Sequence, residues 1–130
     1  MAGGQKIVRS FRDLIAWQLA YALGLGVIRA TRAFPPEERF GLALQLRRSA
    51  VSVASNIAEG YGRSSRTDYV RCLYIARGSL YELDTQLSFA AELQYISKEQ
   101  ADPLLNSVEE CGRVLNGLIR ALSSNRTPNT

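Results

Sequence analysis

Hydrophobic residues recur along the second half of this chain with the spacing of one helix face, in two long segments. The first segment runs from about Arg66 to Glu92, with Ser65 and Asp68 spaced as an N-terminal cap. Its apolar positions alternate steps of four and three residues, and they are Tyr69, Leu73, Ala76, Leu80, Leu83, Leu87 and Ala90. The second segment runs from Ser97 to about Leu122 with the same spacing, and its apolar positions are Ala101, Leu104, Val108, Cys111, Leu115, Leu118 and Leu122. This pattern is typical of helices that pack side by side, so we predict two paired helices.

The first half of the chain contains two more segments with helical spacing. One is expected from about Phe11 to Arg32, with Ser10 and Asp13 spaced as a capping box. The other is expected from Pro36, a favoured first helical position, to Glu59. Linkers of about four or five residues force neighbouring helices to run antiparallel. The sequence therefore predicts an all-α fold, an antiparallel up-down-up-down four-helix bundle over residues 11–122, with a flexible N-terminal arm at 1–10 and a disordered tail at 123–130.

The residues that end the second predicted helix admit a functional and a structural interpretation. Polar side chains and glycines at a helix end often form a binding site, and here they are Asn56, Glu59, Gly60, Gly62 and Arg63. We favour the structural interpretation, in which the two glycines adopt positive φ angles and the polar side chains satisfy backbone groups. In that arrangement Glu59 faces Arg66 across the linker and forms a salt bridge with it. Gly78 is expected to mark a close approach of two helices.

The first two predicted helices carry more apolar surface than one bundle core can bury. In the first helix, Leu14, Trp17, Tyr21 and Ile28 form one stripe, and Ile15, Leu19, Leu23 and Ala30 form a second. A helix that is apolar on two faces is buried on both, which predicts contact with further copies of the chain. The candidate interface residues are Ile15, Leu19, Leu23, Phe40, Leu44 and Val51. The alternative is that residues such as Phe40 are tolerated at the surface.

Composition argues against catalysis and against a membrane span. The chain has no histidine, which removes the commonest general base and metal ligand, and its carboxylates lack the partners of a di-iron site. Cys72 and Cys111 are expected to be buried thiols that do not bond to each other. No phosphate-binding glycine loop or nucleophile motif is present. The apolar run from Leu14 to Ile28 is too short for a bilayer, so we expect a cytoplasmic protein without enzyme activity, metal or cofactor.

The basic residues are predominantly arginine and are concentrated in the first half of the chain. The chain has 16 Lys and Arg against 12 Asp and Glu, and arginine suits phosphates and interfaces better than lysine does. Arginine with exposed tyrosine is the chemistry of nucleic-acid binding without sequence preference. The candidate residues are Arg48, Arg63, Arg66, Arg71, Tyr74, Arg77 and Tyr81. The alternative is that this surface packs against another subunit and its arginines form ion pairs.

A family resemblance rests on the stretch from Arg47 to Leu87. Its most specific parts are NIAEG at 56–60, GR at 62–63 and IARGS at 75–79. With these motifs the chain resembles the four helix bundle proteins, also called rRNA intervening-sequence proteins. The resemblance implies a homopentamer, and it includes accessory proteins of diversity-generating reverse transcriptases. We therefore expect a non-enzymatic oligomer that binds RNA or DNA, or alternatively a structural hub that binds other proteins and has no nucleic-acid role.

Overall fold

The computed structural model describes residues 7–124, and these residues form four α-helices and no strand. The helices are α1 (Ile15–Ala30), α2 (Leu42–Tyr61), α3 (Arg66–Glu92) and α4 (Lys98–Ser124). Short 3₁₀ turns precede α1 and connect it to α2, at Phe11–Asp13, Thr31–Ala33 and Pro36–Glu38. The predicted all-α four-helix bundle is confirmed. The predicted arm and tail lie largely outside the described residues, although Ser123 and Ser124 belong to α4.

The helices contact one another in cyclic order, because each packs against its chain neighbours and α1 also packs against α4. Two contacts show the relative direction of α2 and α3. Ser52 bonds to Ser79, and Gly60, which follows Ser52 in α2, lies against Cys72, which precedes Ser79 in α3. Contacts between α3 and α4 follow the same rule. Consecutive helices at these two seams are therefore antiparallel. Within residues 7–124 no helix combines the length and hydrophobicity needed to cross a bilayer.

Most of the predicted caps are present in the structure. The Ser10 side chain accepts a hydrogen bond from the Arg12 amide, and Asp13 completes the capping box. The Ser65 hydroxyl accepts from the Asp68 amide at 3.1 Å and starts α3 at the predicted residue. Before α4, the side chains at 97 and 100 accept from each other's amides, as the sequence predicts. These local bonds satisfy amides that have no partner within their own helix.

The first two helices begin later than the sequence predicts. Leu14 has an extended backbone with ψ of 128°, so residues 11–13 form a separate 3₁₀ turn before α1. The second helix begins at Leu42 and not at Pro36, because the backbone of Gly41, with ψ of −115°, is not helical. The carboxylate of Glu38 accepts from the Leu42 amide at 3.0 Å and takes over the capping role.

The core face of α1 differs from both predicted stripes. The residues that α1 buries are Ala16, Ala20, Leu23, Gly24 and Val27. Small side chains therefore face the core and allow close packing, while the larger Trp17 and Leu19 lie at the edges of that face and are only partly buried. Leu23 is 3% exposed, so it belongs to the chain's own core and is not available as an interface residue.

The core of α3 and α4 agrees with the predicted seam except at Tyr69 and three leucines of α4. Of the fourteen predicted seam residues, ten are buried, namely Leu73, Ala76, Leu80, Leu83, Leu87, Ala90, Ala101, Val108, Cys111 and Leu115. The partly buried ones are Tyr69, Leu104, Leu118 and Leu122, and Ile119 takes the last buried position of α4. The helix therefore turns slightly relative to the strict alternation of steps, as expected for a straight helix with 3.6 residues per turn.

The interpretation of the glycines is wrong at three positions. No described glycine has a positive φ angle, and Gly62, the C-terminal cap of α2, has φ of −82°. Gly60 lies inside α2 and is buried, and a Cβ there would be 2.9 Å from the Cβ of Cys72. Its role is therefore to let α3 approach α2. Gly78, which was expected at a close approach, has no atom within 4 Å of a Cβ placed on it.

Candidate assembly and nucleic-acid surfaces

Three of the candidate nucleic-acid residues line one cavity where α3 begins and α4 ends. The cavity has a volume of about 270 Å³, and Arg66, Arg71 and Tyr74 contribute to its wall. The remaining lining residues are Thr67, Val70, Leu122 and Ser123. Two guanidinium groups and an exposed aromatic ring thus share a shallow depression between two helices.

Arg77 extends this surface along α3 and connects it to α4. Its guanidinium carbon lies 4.8 Å from the centroid of the Tyr74 ring, within the range of a cation–π contact. Its Nη1 donates to Oδ1 of Asn116 at 3.0 Å. Tyr81, two turns after Tyr74, is 54% exposed on the same side of the helix. We call Arg66, Arg71, Tyr74, Arg77 and Tyr81 the α3 patch.

Two of the candidate arginines lie apart from the α3 patch. Arg63 forms an ion pair with Glu59 one turn before it, which replaces the predicted pair between Glu59 and Arg66. Arg48 lies beside Ser52 and Glu82 in the groove between α2 and α3. The length of the linker predicts that Arg48 and Arg77 lie at the same height along the bundle axis. Arg48 nevertheless lies on a different side of α3 from Arg77.

One acidic residue partly compensates the charge of the α3 patch. The Asp68 carboxylate is 3.2 Å from Nη1 of Arg71, and both side chains are largely exposed to solvent. Such an exposed pair contributes little to stability and is readily exchanged for another anion. Arg120 lies one helical turn after Asn116 and is exposed, so α4 carries a further cation on the side of Asn116 that sequence reasoning missed. Its position follows from the register of α4 against α3.

The groove between α1 and α2 lies on the other side of the bundle and is largely apolar, with Arg12 as the one charged residue that lines it within residues 7–124. Trp17 and Tyr21 stack there with centroids 4.8 Å apart, and Phe11 meets the edge of the Trp17 ring. Small residues form much of the floor, and these are Ala20, Gly24, Ala50, Ala54, Ser55 and Ala58. The groove has a volume of about 400 Å³. Its shape is that of a trough wide enough for apolar side chains of another molecule.

The candidate interface residues divide into three groups. Ile15, Phe40 and Val51 are exposed, and Phe40 is the most exposed of them at 80%. Leu19 and Leu44 are partly buried against the chain itself, and Leu23 is in the core as described above. Val51 also lines the groove between α1 and α2. The structure therefore joins Val51 to Trp17 and Tyr21, which belong to the other predicted stripe of α1 and were not among the candidate interface residues.

Three exposed apolar side chains on α3 and at its C-terminal end were also missed. Ile75, Phe89 and Leu93 are each at least half exposed. Periodicity assigns these residues to the polar side of α3 because they lie opposite the seam of leucines. Their exposure becomes evident only when the partners of α3 are known.

One polar residue of the predicted helix-end motif, Asn56, belongs to the seam between α2 and α3. The Asn56 side-chain amide donates to the Ser52 carbonyl at 2.9 Å and to its hydroxyl at 3.1 Å. The Ser52 and Ser79 hydroxyls share a hydrogen bond of 2.7 Å across the seam. Asn56 therefore orients a polar contact between two helices.

Both thiols are buried, and the pKa of one of them is raised. Cys72 and Cys111 are free and buried, as the sequence predicts. Burial, with a smaller effect of Glu110, raises the pKa of Cys111 to about 11. A thiol that stays protonated at neutral pH is a poor nucleophile. In the part of the chain that the structure describes, no three Cys, Asp or Glu side chains come together as metal ligands.

Comparison with known proteins places this architecture in a family. A comparison with curated proteins finds no match. The crystal structure of a protein of unknown function from the S23 ribosomal protein family of Bacteroides thetaiotaomicron has the same fold, with a TM-score of 0.75, 23% sequence identity, and coverage of 81% of this chain and 98% of the other. The family model described as 23S rRNA-intervening sequence protein matches residues 12–117. The chain therefore belongs to the 23S rRNA-intervening sequence protein family.

Proposed function

We propose that this protein is a non-enzymatic, self-assembling bundle that presents the α3 patch to RNA. The observation that carries the proposal is the placement of two surfaces of different character. The apolar groove lies between α1 and α2, and the basic and aromatic patch lies beside the seam of α3 and α4. Because the helices pack in cyclic order, these two grooves are on opposite sides of the bundle. One surface can therefore be covered by another copy while the other stays open to RNA.

Self-assembly is supported by the apolar groove and by the exposed residues around it. Phe40 and Val51 expose much of their side chains to solvent, and the Trp17 and Tyr21 rings line the trough between the helices. Covering a large apolar side chain is worth about 1.5–3 kcal/mol. The proposed assembly is a pentamer, a number that comes from the family resemblance. The proposal places the protein in the cytoplasm, where its two thiols stay reduced.

RNA binding is supported by the chemistry and the arrangement of the α3 patch. Arginine forks neutralise phosphates, and exposed tyrosine rings stack with bases. The contact of Arg77 with Asn116 orders one of these forks before any ligand arrives. A ring of copies would repeat the patch and raise avidity without a strong individual site. RNA is the preferred nucleic acid because the family is associated with rRNA; the same chemistry would also hold single-stranded DNA.

The assembly part of the proposal is tested by placing one charge in the groove. Val51→Asp should shift the sedimentation coefficient toward that of the monomer, because an unpaired carboxylate in an apolar contact is costly. Asn106→Asp on the exposed side of α4 is the matched control and should leave the assembly unchanged. A wild-type chain that sediments as a monomer at micromolar concentration contradicts the assembly proposal. A stable oligomer of another size contradicts only the number five.

The RNA part is tested by the salt dependence of binding to a structured RNA. Removing Arg71 and Arg77 together should make the slope of log K against log salt shallower by about two, since each phosphate contact contributes about one. The control is Arg29→Ala with Lys98→Ala, which removes the same charge from residues outside the α3 patch. Wild-type protein that fails to bind RNA at low salt contradicts the proposal. Equal slopes for the two double variants contradict the assignment of the patch.

The second candidate function is a structural hub that binds another protein. The observation that favours it is the exposed apolar pair of Phe89 and Leu93, four residues apart at the C-terminal end of α3. Exposed apolar surface is more typical of a protein contact than of a phosphate contact. If RNA binding is absent and Phe89→Ser abolishes binding of a protein partner while the assembly persists, the hub function replaces the RNA function.

A further inference from the structure

Three arginines line a single cavity at the end of the bundle where α1 connects to α2. They are Arg32, Arg39 and Arg47, and the cavity has a volume of about 450 Å³. The other lining residues are apolar or neutral, and they are Ile28, Thr31, Phe34, Pro35, Pro36 and Ala43. The aromatic contact of Phe34 with Tyr95 places this end of the bundle beside the linker between α3 and α4. It is therefore the end opposite to the start of α3, where Arg66 and Arg71 lie.

The lining of the cavity contains no acidic residue that would balance these arginines. None of the three forms an ion pair within residues 7–124. Two acidic residues occur in the same linker, but neither lines the cavity. The carboxylate of Glu38 instead accepts hydrogen bonds from the Leu42 amide at 3.0 Å and the Tyr95 hydroxyl at 3.1 Å, and Glu37 is exposed. Like charges around one concavity repel each other, and an anion placed between them relieves that repulsion.

Arg47 is held in a defined position by two neutral oxygen atoms. Its Nη1 donates to Oγ1 of Thr31 and its Nη2 donates to the carbonyl oxygen of Arg39, both at 3.4 Å. The Thr31 hydroxyl donates in turn to the carbonyl oxygen of Ile28 at 2.7 Å, so this hydroxyl offers Arg47 an acceptor. Both bonds of Arg47 are long, and a guanidinium has five N–H donors. The side chain is thus oriented while retaining donors for a stronger, charged acceptor.

The walls of the cavity favour a small, compact anion. Pro35 and Pro36 restrict the backbone and supply no amide, so the wall on that side is stiff and apolar. Phe34 is buried and supports it from below. Apolar walls lower the local dielectric and strengthen the attraction between a guanidinium and an anion. A concave site of this kind admits the end of a ligand more readily than the middle of a nucleic-acid strand.

We propose that the cavity formed by Arg32, Arg39 and Arg47 binds a terminal phosphate group. A phosphate monoester carries up to two negative charges at neutral pH and offers three oxygens, which suits a cavity lined by three arginines. A phosphodiester within a strand carries one charge and has a substituent on each side. The phosphate can belong to a free small molecule or to the 5′ end of an RNA, and both sources present the same group. The inference goes beyond the proposed function, because this site is separate from the α3 patch.

The experiment is calorimetric titration of the full chain with inorganic phosphate in a buffer without other multivalent anions. We expect saturable binding with one site per chain. Arg39→Gln with Arg47→Gln should weaken the affinity about tenfold or more, because it removes charge-assisted hydrogen bonds. The matched control, Arg29→Gln with Arg113→Gln, removes the same charge outside the cavity and should retain the wild-type affinity. Circular dichroism melts verify that each variant is folded. If substitution of the half-buried Arg47 unfolds the protein, the single variant Arg39→Gln, at an exposed position, still tests the site.

Several results would overturn the phosphate site. Wild-type protein that shows no saturable uptake of phosphate, a folded double variant that binds as wild type does, or a control that loses affinity equally would each do so. A second titration identifies the source of the phosphate. Two RNA oligonucleotides that differ only in having a 5′-phosphate or a 5′-hydroxyl are titrated into the double variant Arg71→Ala with Arg77→Ala. Tighter binding of the phosphorylated strand identifies an RNA end, whereas equal binding of the strands with retained phosphate uptake identifies a free ligand. Wild-type protein that binds phosphate but does not bind RNA would contradict the proposed function alone.

Discussion

Gly60 in α2 and Gly78 in α3 lead to opposite expectations for the same change to alanine. At Gly60, a Cβ would lie 2.9 Å from the Cβ of Cys72 and 3.1 Å from both the carbonyl oxygen and the Cδ1 atom of Tyr69. The first distance is shorter than carbon atoms tolerate, and two of the three opposing atoms are a backbone oxygen and a Cβ. Neither moves without its helix. The substitution Gly60→Ala therefore has to push α3 away from α2.

The magnitude at Gly60 is the difference between two effects. Overpacking of a well-packed site costs about 1–3 kcal/mol. Alanine offsets about 1 kcal/mol of this in a helix interior, and less at Gly60, which lies in the last turn of α2. We expect the free energy of unfolding to fall by about 1–2 kcal/mol. For a domain of this size each kcal/mol lowers Tm by about 3–5 °C.

Gly78 is the internal control, because a Cβ there meets no atom within 4 Å. Only the helix preference remains, so Gly78→Ala should raise the free energy of unfolding by about 0.5–1 kcal/mol. Urea denaturation of both variants and wild type at one protein concentration measures the difference, since assembly makes stability depend on concentration. An unchanged or higher stability of Gly60→Ala would refute the close approach of α2 and α3. A loss at Gly78 that accompanies a smaller sedimentation coefficient would show that another copy covers this position.

Three further predictions concern the core, the thiols and one tyrosine. Leu83→Ala should lower the free energy of unfolding by about 2–5 kcal/mol in urea, because the side chain is fully buried. Cys72 and Cys111 should resist iodoacetamide at pH 8 in the native protein and react in denaturant, and mass spectrometry that shows rapid native labelling would contradict their burial. The hydrogen bond that Tyr95 donates to Glu38 raises the pKa of this tyrosine above its usual value. The stability that this bond contributes should be present below about pH 10 and lost as pH rises through the folded pKa, so Tyr95→Phe should flatten the alkaline part of the profile of Tm against pH.

Periodicity predicted α3 and α4 well because their large apolar residues and their buried residues coincide. Leu80 and Leu115 are both large and central to the seam, so a pattern weighted by hydrophobicity finds the correct face. In α1 the large apolar residues and the buried residues are different residues. Its core face contains Ala16 and Ala20, which carry little apolar surface, while Trp17 and Tyr21 flank that face and dominate the pattern. The packing distance between helices, which decides how small a core residue must be, is not a property of α1 alone.

The linker between α1 and α2 shows why the start of the second helix was placed too early. Pro36 and the acidic residues after it are typical of a helix N-terminus, and they do form a 3₁₀ turn. The helix does not continue from this turn, because the backbone of Gly41 is not helical. The carboxylate of Glu38 then caps α2. The Tyr95 hydroxyl, which binds the same carboxylate, comes from the other linker. Part of this arrangement is therefore determined by a contact between residues 57 positions apart.

Which arginines lie together depends on how each helix is rotated about its axis relative to its neighbours. The residue pattern of a single helix does not determine that rotation. The linker length predicts that Arg48 and Arg77 lie at one height, yet Arg48 lies in the groove between α2 and α3, whereas Arg77 bonds to Asn116 on α4. Arg32, Arg39 and Arg47 meet for the opposite reason. They are spread over a helix end, a turn and a helix start, so no periodic pattern relates them, and the fold of the linker brings them to one cavity. Charge counts along a sequence therefore find the excess of arginine, whereas its division between an open surface and a concave site depends on how the helices and linkers pack.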